Sequence, residues 1–471
     1  MKKRILSLLL AIMLCFTMVP VLDAQAADHV TSTYSLSNWV IDDLIIGDNY
    51  GIYPMEWYNS DMTASISKSK LTILLDSMKN KIVKTNCVTQ NTKISYKLKN
   101  KMTVKEVLDT YNKMLSSMKF SKSLGLKGKT SLDNMKKMGV YTGSKKEPAL
   151  SKLCSVEAAC VYGTRVITYL YNKLGAASKG FFWVAKSGKN KVYMLGSIHL
   201  ASTEIYPFSK KIIDAYKSSD SLVVELDAND YNGALQLVNM GLYNDGTTLK
   251  DHISGETFKK VIDLAEKYGY SENMISKFKP WYINILFASL SYTKSGERSE
   301  AAEAANLGID MNFISNAYYY GKPIKEVEGY VKQAQVLDSF SDELQNVLLN
   351  ETVDSVNKVV NGDDTAYADY LEQALKLWHD GDVEGFLKFN SEQEEYSDDY
   401  DYSSLDQALA DEYENKLMNQ RDLGMADYID NLLKADGSFT YFVVVGSGHF
   451  ISDYSVLDIL KSRGYEISQI K

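Results

Sequence analysis

From Ser35 to about Gly175 apolar residues recur at helical spacing in a locally Lys-rich background, which predicts a mostly helical region. Beyond Gly175 the period changes. Phe181-Phe182-Trp183-Val184 and Val192-Tyr193-Met194-Leu195 flank Ser187-Gly188-Lys189-Asn190, the pattern of a β-hairpin. Three more short apolar runs follow, Leu222-Val223-Val224-Glu225-Leu226, Pro323-Ile324-Lys325-Glu326-Val327-Glu328 and Tyr441-Phe442-Val443-Val444-Val445, separated by amphipathic stretches. Short apolar strands alternating with helices predict an α/β sheet with parallel pairings. Phe258 to Tyr268, with Phe258, Val261, Ile262 and Ala265 on one face and Gly269 after it, reads as a covering helix. Residues 330–430 carry almost no strand signal, so a helical insertion or lid is expected there. The predicted fold class is therefore α/β, a mixed sheet with parallel strands flanked by helices and a helical insertion, preceded by a mostly α-helical N-terminal domain.

The amino terminus predicts something other than fold. Lys2, Lys3 and Arg4 precede an apolar run from Ile5 to about Leu22 and then Ala24-Gln25-Ala26, the order of a cleavable signal peptide. Export is the expectation, with an uncleaved membrane anchor as the alternative, since the run is near the length of a span. Removing residues 1–27 takes the formal net charge from −8 to −10. Domain boundaries then fall at 1–27 for the signal peptide, 28–175 for a helical accessory domain and 180–471 for the α/β domain.

Composition narrows the function classes. A chain of 471 residues with 45% hydrophobic positions is folded. Acidic net charge without a basic block argues against nucleic acid or an anionic membrane as the main partner. Four cysteines are too few for a disulfide framework. Cys154 and Cys160, if both lie on a helix from Lys152 to Leu174, stand ~9 Å apart along its axis, beyond the ~7 Å limit for a bridge. The acidic run Glu392, Glu394, Glu395, Asp398, Asp399 and Asp401 lacks the spacing of a calcium loop and reads as a solvated segment.

The five histidines focus the chemistry. Two share one context: Val192 to Leu195 then Gly196-Ser197-Ile198-His199, and Phe442 to Val445 then Gly446-Ser447-Gly448-His449. Glycine at a strand end permits φ > 0 and a tight turn, turning the histidine back across the carboxyl edge of the sheet, where open α/β sheets bind ligands. Glu225 interrupts an apolar strand, and a buried carboxylate is costly unless paired or bound to a metal. Glu328 ends another strand. Two histidines and one or two glutamates converging there suit a divalent transition metal with an open position for water, which would attack a carbonyl. Ser197 and Ser447 are expected to hydrogen-bond the turns. The zincin HExxH and the GxSxG elbow are both absent.

Three ordered blocks carry a family resemblance. Gly196 to Leu200, Tyr206-Pro207 and Asp220 to Asp227 come first, then Gly308-Ile309-Asp310, Phe313-Ile314, Ala317, Gly321-Lys322-Pro323 and Glu328. Arg421, Met425-Ala426, Val445 to His449 and Leu460 to Tyr465 close the set. From about Phe181 to the carboxyl terminus the chain resembles the TraB/GumN family, which includes the TIKI metalloproteases. The resemblance implies metal-dependent peptide-bond cleavage of a peptide or protein substrate, with manganese or cobalt favoured and zinc an alternative. It implies His199, His449 and Glu225 as metal-site residues, and Glu225, Glu328 and Arg421 as catalytic ones. Gly196, Gly446 and Asp310 fall on further family positions; Arg421 is a candidate oxyanion stabiliser and Asp310 a candidate helix cap. Asp422 stands where the family more often has Asn.

The accessory region resembles degenerate S-layer homology modules in two halves. Trp39 to Leu71 and Leu132 to Ala159 each run helix, Gly-hydrophobic turn, then a polar tetrad, Ser67-Lys68-Ser69-Lys70 or Ser155-Val156-Glu157-Ala158. That resemblance implies a cell-wall polymer as partner. The rival to a hydrolase is a non-catalytic extracellular protein whose polar cluster binds a ligand, tethered to the wall by this region.

Overall fold

A computed structural model describes residues 36–143, 147–363, 365–396 and 407–471. The expected signal peptide, and Asp398, Asp399 and Asp401 of the acidic run, lie outside the described residues. The chain divides into two compact units. Among the described residues, one comprises 36–178 with 203–210 and the other 179–202 with 211–471.

The helical unit is built from α1 (Ile41–Asp48), α2 (Lys68–Lys84), α3 (Val104–Ser116), α4 (Ser131–Lys137) and α5 (Val156–Leu174). The two polar tetrads open α2 and α5, where Ser67 and Ser155 accept from the backbone amides of Lys70 and Ala158, each occupying one of the orphan donors of a helix start. A third start is alike: Thr103 and Glu106 form a reciprocal capping box on α3. The extended residues before the three helices bridge one another, Ser65 with Ser155 and Thr103 with Leu153. Thr130 and Asp133 form the same box on α4, so among the described residues the region has four side-chain-capped starts where the sequence suggests two; the start at Thr103 lacks the Gly-hydrophobic turn that marks the two tetrads. A two-stranded ladder also appears, β1 (Val88–Asn91) antiparallel to β2 (Met118–Phe120), too short and polar to show as a strand pattern. Cys87, Cys154 and Cys160 are free thiols.

The second unit holds β3 (Phe182–Ser187), β4 (Asn190–Ser197), β5 (Ser221–Val224), β6 (Ile324–Glu326), β7 (Thr440–Gly446) and β8 (Ile467–Gln469). They form one mixed sheet in the order β6-β5-β7-β4-β3-β8. The pairs β4 with β7, β7 with β5 and β5 with β6 are parallel, while β3 runs antiparallel to β4 and to β8. This is the expected α/β architecture. One face of the sheet is filled by aromatic packing: Phe442 meets Phe313 at 4.9 Å and Tyr216 at 5.6 Å between ring centroids, from α6 (Lys210–Ser218) and α7 (Ile309–Tyr320). Such contacts add to the area buried by each ring. Among the described residues no helix is long and apolar enough to cross a membrane.

Helices fill both the interval between β5 and β6 and the expected insertion after it, including Asp342–Asn361 and Ala366–Asp380. In Asp342–Asn361, burial first and then the neighbouring Asp354 raise the Glu351 carboxyl to about 7. Its Oε2 is buried without a hydrogen-bond partner among the described residues. A carboxyl raised in the folded state binds a proton there that the unfolded chain releases, so stability is full below the ordinary value of 4.5 and lost as pH rises toward 7. Glu351→Gln is expected to remove that loss, gaining about 2 kcal/mol over the parent chain near pH 8 and almost nothing near pH 4. Urea unfolding at the two pH values measures it, and an equal effect at both would refute it.

Candidate active site

Register brings the motif residues to one edge. Ser197 pairs with Gly446 across β4 and β7, and Val224 pairs with Val444 and with Glu326. His199, Glu225, Glu328 and His449 therefore follow four neighbouring parallel strands at their carboxyl ends. The structure brings all four together with Asp310, Arg421 and Asp422.

Both strand-end glycines are required, though for a reason other than the one the sequence suggests. Neither adopts positive φ. A Cβ on Gly196 would lie 2.7 Å from Ser447 Oγ, so the parallel turns can approach only without it. A Cβ on Gly446 would stand 3.2 Å from Glu225 Oε1, 3.4 Å from His199 Nε2 and 3.6 Å from His449 Cδ2. That one point is thus surrounded by the glutamate and both imidazoles.

Each ring is turned by a carboxylate behind it. Asp422 Oδ1 is 2.5 Å from His449 Nδ1. Asp310 Oδ2 is 3.1 Å from His199 Nδ1, off the line of a good hydrogen bond. Asp310 does not cap α7, whose N-cap is Gly308; instead it accepts from Ser197 Oγ at 2.9 Å. Gly308 lets α7 abut the turn, since a Cβ there would collide with the His199 carbonyl oxygen. Ser447 departs from expectation too: its hydroxyl is buried with no hydrogen-bond partner among the described residues. The Nε2 atoms of His199 and His449 are likewise buried and unpartnered.

Arg421 ties the glutamates together. Its Nη2 donates to Glu225 Oε2 at 2.5 Å and to Glu328 Oε2 at 2.7 Å, and its Nε donates to both Glu328 oxygens at 3.0 and 3.1 Å. The Gly446 amide donates to Glu225 Oε1 at 2.5 Å, and Gln333 Nε2 reaches both carboxylates. An arginine so engaged has little left for an oxyanion. Arg421 and Asp422 are adjacent in Gln420–Lys434, here α8, entered through a π-helical turn at Asn415–Asn419, a feature frequent at functional sites. From the insertion, Trp378 Nε1 donates to the Gly196 carbonyl at 2.7 Å. Gln333 and Trp378 carry no motif, and only their polar atoms inside otherwise apolar helix faces mark them.

The electrostatics follow from burial. Glu225 and His449 are 1% exposed and Asp422 is fully buried. Burial would raise Glu328 and Asp310, yet Arg421 in the first case and His199 with Ser197 in the second hold both carboxyls below their ordinary values. Against its own burial, His199 is raised by Asp310 and Glu225. Asp422 goes the other way, raised by burial despite its contact with His449.

The match to known proteins covers this unit. The family model for TraB/PrgY/gumN proteins aligns with residues 181–469, well over half the chain. The chain belongs to the TraB/PrgY/gumN family. Among its relatives is the uncharacterized protein YbaP of Escherichia coli K12, 23% identical over 63% of this chain and 99% of that protein. Metalloprotease TIKI2 of Danio rerio is 23% identical over 61% of this chain and 60% of its own length. A metalloprotease TIKI homolog of Nematostella vectensis is 24% identical over 62% and 67% respectively. No solved structure matches.

The donor set answers in part to a divalent cation. Two neutral-capable imidazoles with unpartnered Nε2 atoms, each backed by a carboxylate at Nδ1, have the arrangement that metal-ligating histidines ordinarily show. Among the described residues, however, no group of three or more His, Cys, Asp or Glu side chains is arranged to hold a metal ion. Glu225 is the nearest third donor, and both its oxygens are already engaged.

Proposed function

We propose that this TraB/PrgY/gumN protein is an exported, divalent-metal-dependent hydrolase of peptide bonds. The observation that carries the reading is the pair of buried, unpartnered Nε2 atoms on two imidazoles that both come close to Gly446 beside Glu225; the family's TIKI metalloproteases support the substrate class. His199 and His449 would hold the cation, with manganese or cobalt expected before zinc, and Glu225 beside them. A bound cation would supply Lewis-acid polarisation of a carbonyl and acidify a water. Glu225, whose Oε2 is 3.9 Å from His449 Nε2 and accepts from Arg421, would take a proton from the nucleophile. Arg421 and the Gly446 amide keep that carboxylate aimed, and burial strengthens each of these interactions by excluding water.

One observation favours the rival, a non-catalytic extracellular binding protein: the carboxylate that should complete the ligand set is already satisfied by Arg421 and Gly446. Metal analysis of the purified full chain, beside His199→Ala with His449→Ala, separates the two. The hydrolase reading expects about one bound cation in the parent chain, none in the double variant, and manganese-dependent cleavage of a peptide library. A parent chain that binds no divalent metal ends it, and one that binds metal yet cleaves nothing favours the rival. A wall polymer as partner of the helical unit belongs to the same proposal, tested by retention of the full chain on purified cell walls.

A further inference from the structure

The formal net charge of −8 averages two unlike parts. Residues 36–178 hold 22 Lys and Arg against 11 Asp and Glu, whereas residues 179–471 hold 27 against 47. Within the basic part the excess concentrates further: residues 88–137 contain 12 lysines and three acids, Glu106, Asp109 and Asp133.

Hydrogen bonds tie the segments that carry these lysines to one another. Lys113 Nζ on α3 donates to the Ser95 carbonyl, Lys137 Nζ on α4 to the Gly125 carbonyl, and Asn112 and Asn134 join α3 to α4. After β1 and the Thr92 amide, which donates to the Ser117 carbonyl at 2.8 Å, the chain runs outside any strand from Lys93 to Lys99. There Ile94, Tyr96 and Leu98 are partly buried, while Lys93, Ser95, Lys97, Lys99 and Lys101 are exposed. An extended chain presents alternate residues on one face at about 7 Å intervals, so Lys93, Lys97 and Lys99 stand on one side, followed by Lys101 at the bend that ends the segment. Lys99 is paired with Glu106 at 2.6 Å. Lys93, Lys97, Lys101, Lys119, Lys127 and Lys129 are exposed and have no carboxylate partner among the described residues. No large hydrophobic residue between 88 and 137 is exposed.

We propose that this lysine-lined face binds a linear polymer of phosphodiesters without bases. A run of exposed, unpaired ammonium groups matches repeating single charges, and release of condensed counterions drives such binding. The absence of an exposed aromatic platform disfavours single-stranded nucleic acid, and the absence of exposed apolar side chains disfavours insertion into a lipid surface. The face reaches the first tetrad, where Asn100 Oδ1 accepts from the Lys68 amide at 3.3 Å; the proposal gives a chemistry to the wall polymer proposed above for the helical unit and is independent of the hydrolase reading.

The test uses the full chain and soluble poly(glycerol phosphate), followed by fluorescence anisotropy from low to physiological salt. Lys93→Gln, Lys97→Gln and Lys101→Gln together are expected to weaken binding at least tenfold near 0.15 M salt and to lower the salt slope by about 2, close to 0.7 per lost contact. Lys250→Gln, Lys277→Gln and Lys388→Gln together, the same charge change on the acidic part, are expected to leave both unchanged. Single Lys97→Gln, expected to give about a third of the slope change, guards against misfolding of the triple variant. Equal loss in the control, no loss in the triple variant, or tighter binding to phosphatidylglycerol vesicles or duplex DNA than to the polymer would each overturn the proposal.

Discussion

Arg421→Ala is expected to lower the unfolding free energy by about 3–5 kcal/mol, because it leaves buried carboxylates without their counter-charge. Arg421 is 3% exposed, and its guanidinium makes four contacts to Glu225 and Glu328, whose side chains are 1% and 0% exposed. The bonds to Glu328 are forked, a geometry only arginine supplies, so Arg421→Lys should recover charge while restoring less than half of the loss. Burial alone would raise Glu328, and Arg421 holds it below its ordinary 4.5. The corresponding stability is present above that value and disappears as pH falls through the lower folded one. Arg421→Ala should therefore flatten the acid limb of the stability profile as well as lower its plateau. Guanidinium unfolding of the parent chain and both variants, near pH 7 and near pH 3.5, measures both effects. A loss below about 1 kcal/mol at neutral pH would mean that water or protons replace the guanidinium, against the cost expected for a broken buried pair.

The sheet was legible because its strands are short apolar runs against polar surroundings, and the site because two of five histidines follow two such strands in the same four-residue phrase. Glu225 was legible for a physical reason independent of any family: a carboxylate in a run of Leu222, Val223 and Val224 had to be paired, and it is. What escaped was geometry that spacing does not encode. Glycine suggested a left-handed turn at Gly196 and Gly446, whereas the constraint is lateral crowding by Ser447, His199 and Glu225. Asp310 looked like a helix cap because it opens α7, but its partners are 113 residues away at Ser197. Arg421, read as a group for substrate charge, is consumed by the glutamates. Gln333 and Trp378 come from helices where one polar atom among apolar neighbours is weak evidence. The short ladder of β1 and β2 and the capped starts at Thr103 and Thr130 were hidden by their polar sequence, and β8, only three residues long, by its length. The charge asymmetry was countable all along, but a single net value concealed it.

Asp310→Asn and Asp422→Asn are expected to weaken divalent-cation binding by about 10- to 100-fold without touching either histidine. A carboxylate at Nδ1 fixes the ring and its tautomer, leaving the Nε2 lone pair free for a cation. The two supports differ, so the two losses should differ. Asp310, 8% exposed, receives Ser197 Oγ as well as facing His199, and these partners hold its carboxyl below the ordinary value despite burial. Its charge is present at neutral pH, and Asn removes it. Asp422 is raised by burial and has an Oδ2 without a hydrogen-bond partner among the described residues. Asn at that position keeps an acceptor for His449 Nδ1 and removes the charge that burial already disfavours. The expected order is therefore a larger loss for Asp310→Asn than for Asp422→Asn, with melting temperatures close to the parent in both. Cobalt(II) titration followed by visible absorption reads the affinity and the ligand field separately from any peptidase activity. Parent-like affinity in both variants would show that the rings are held by packing alone; the reverse order would show that the buried Asp422 carries the charge that matters.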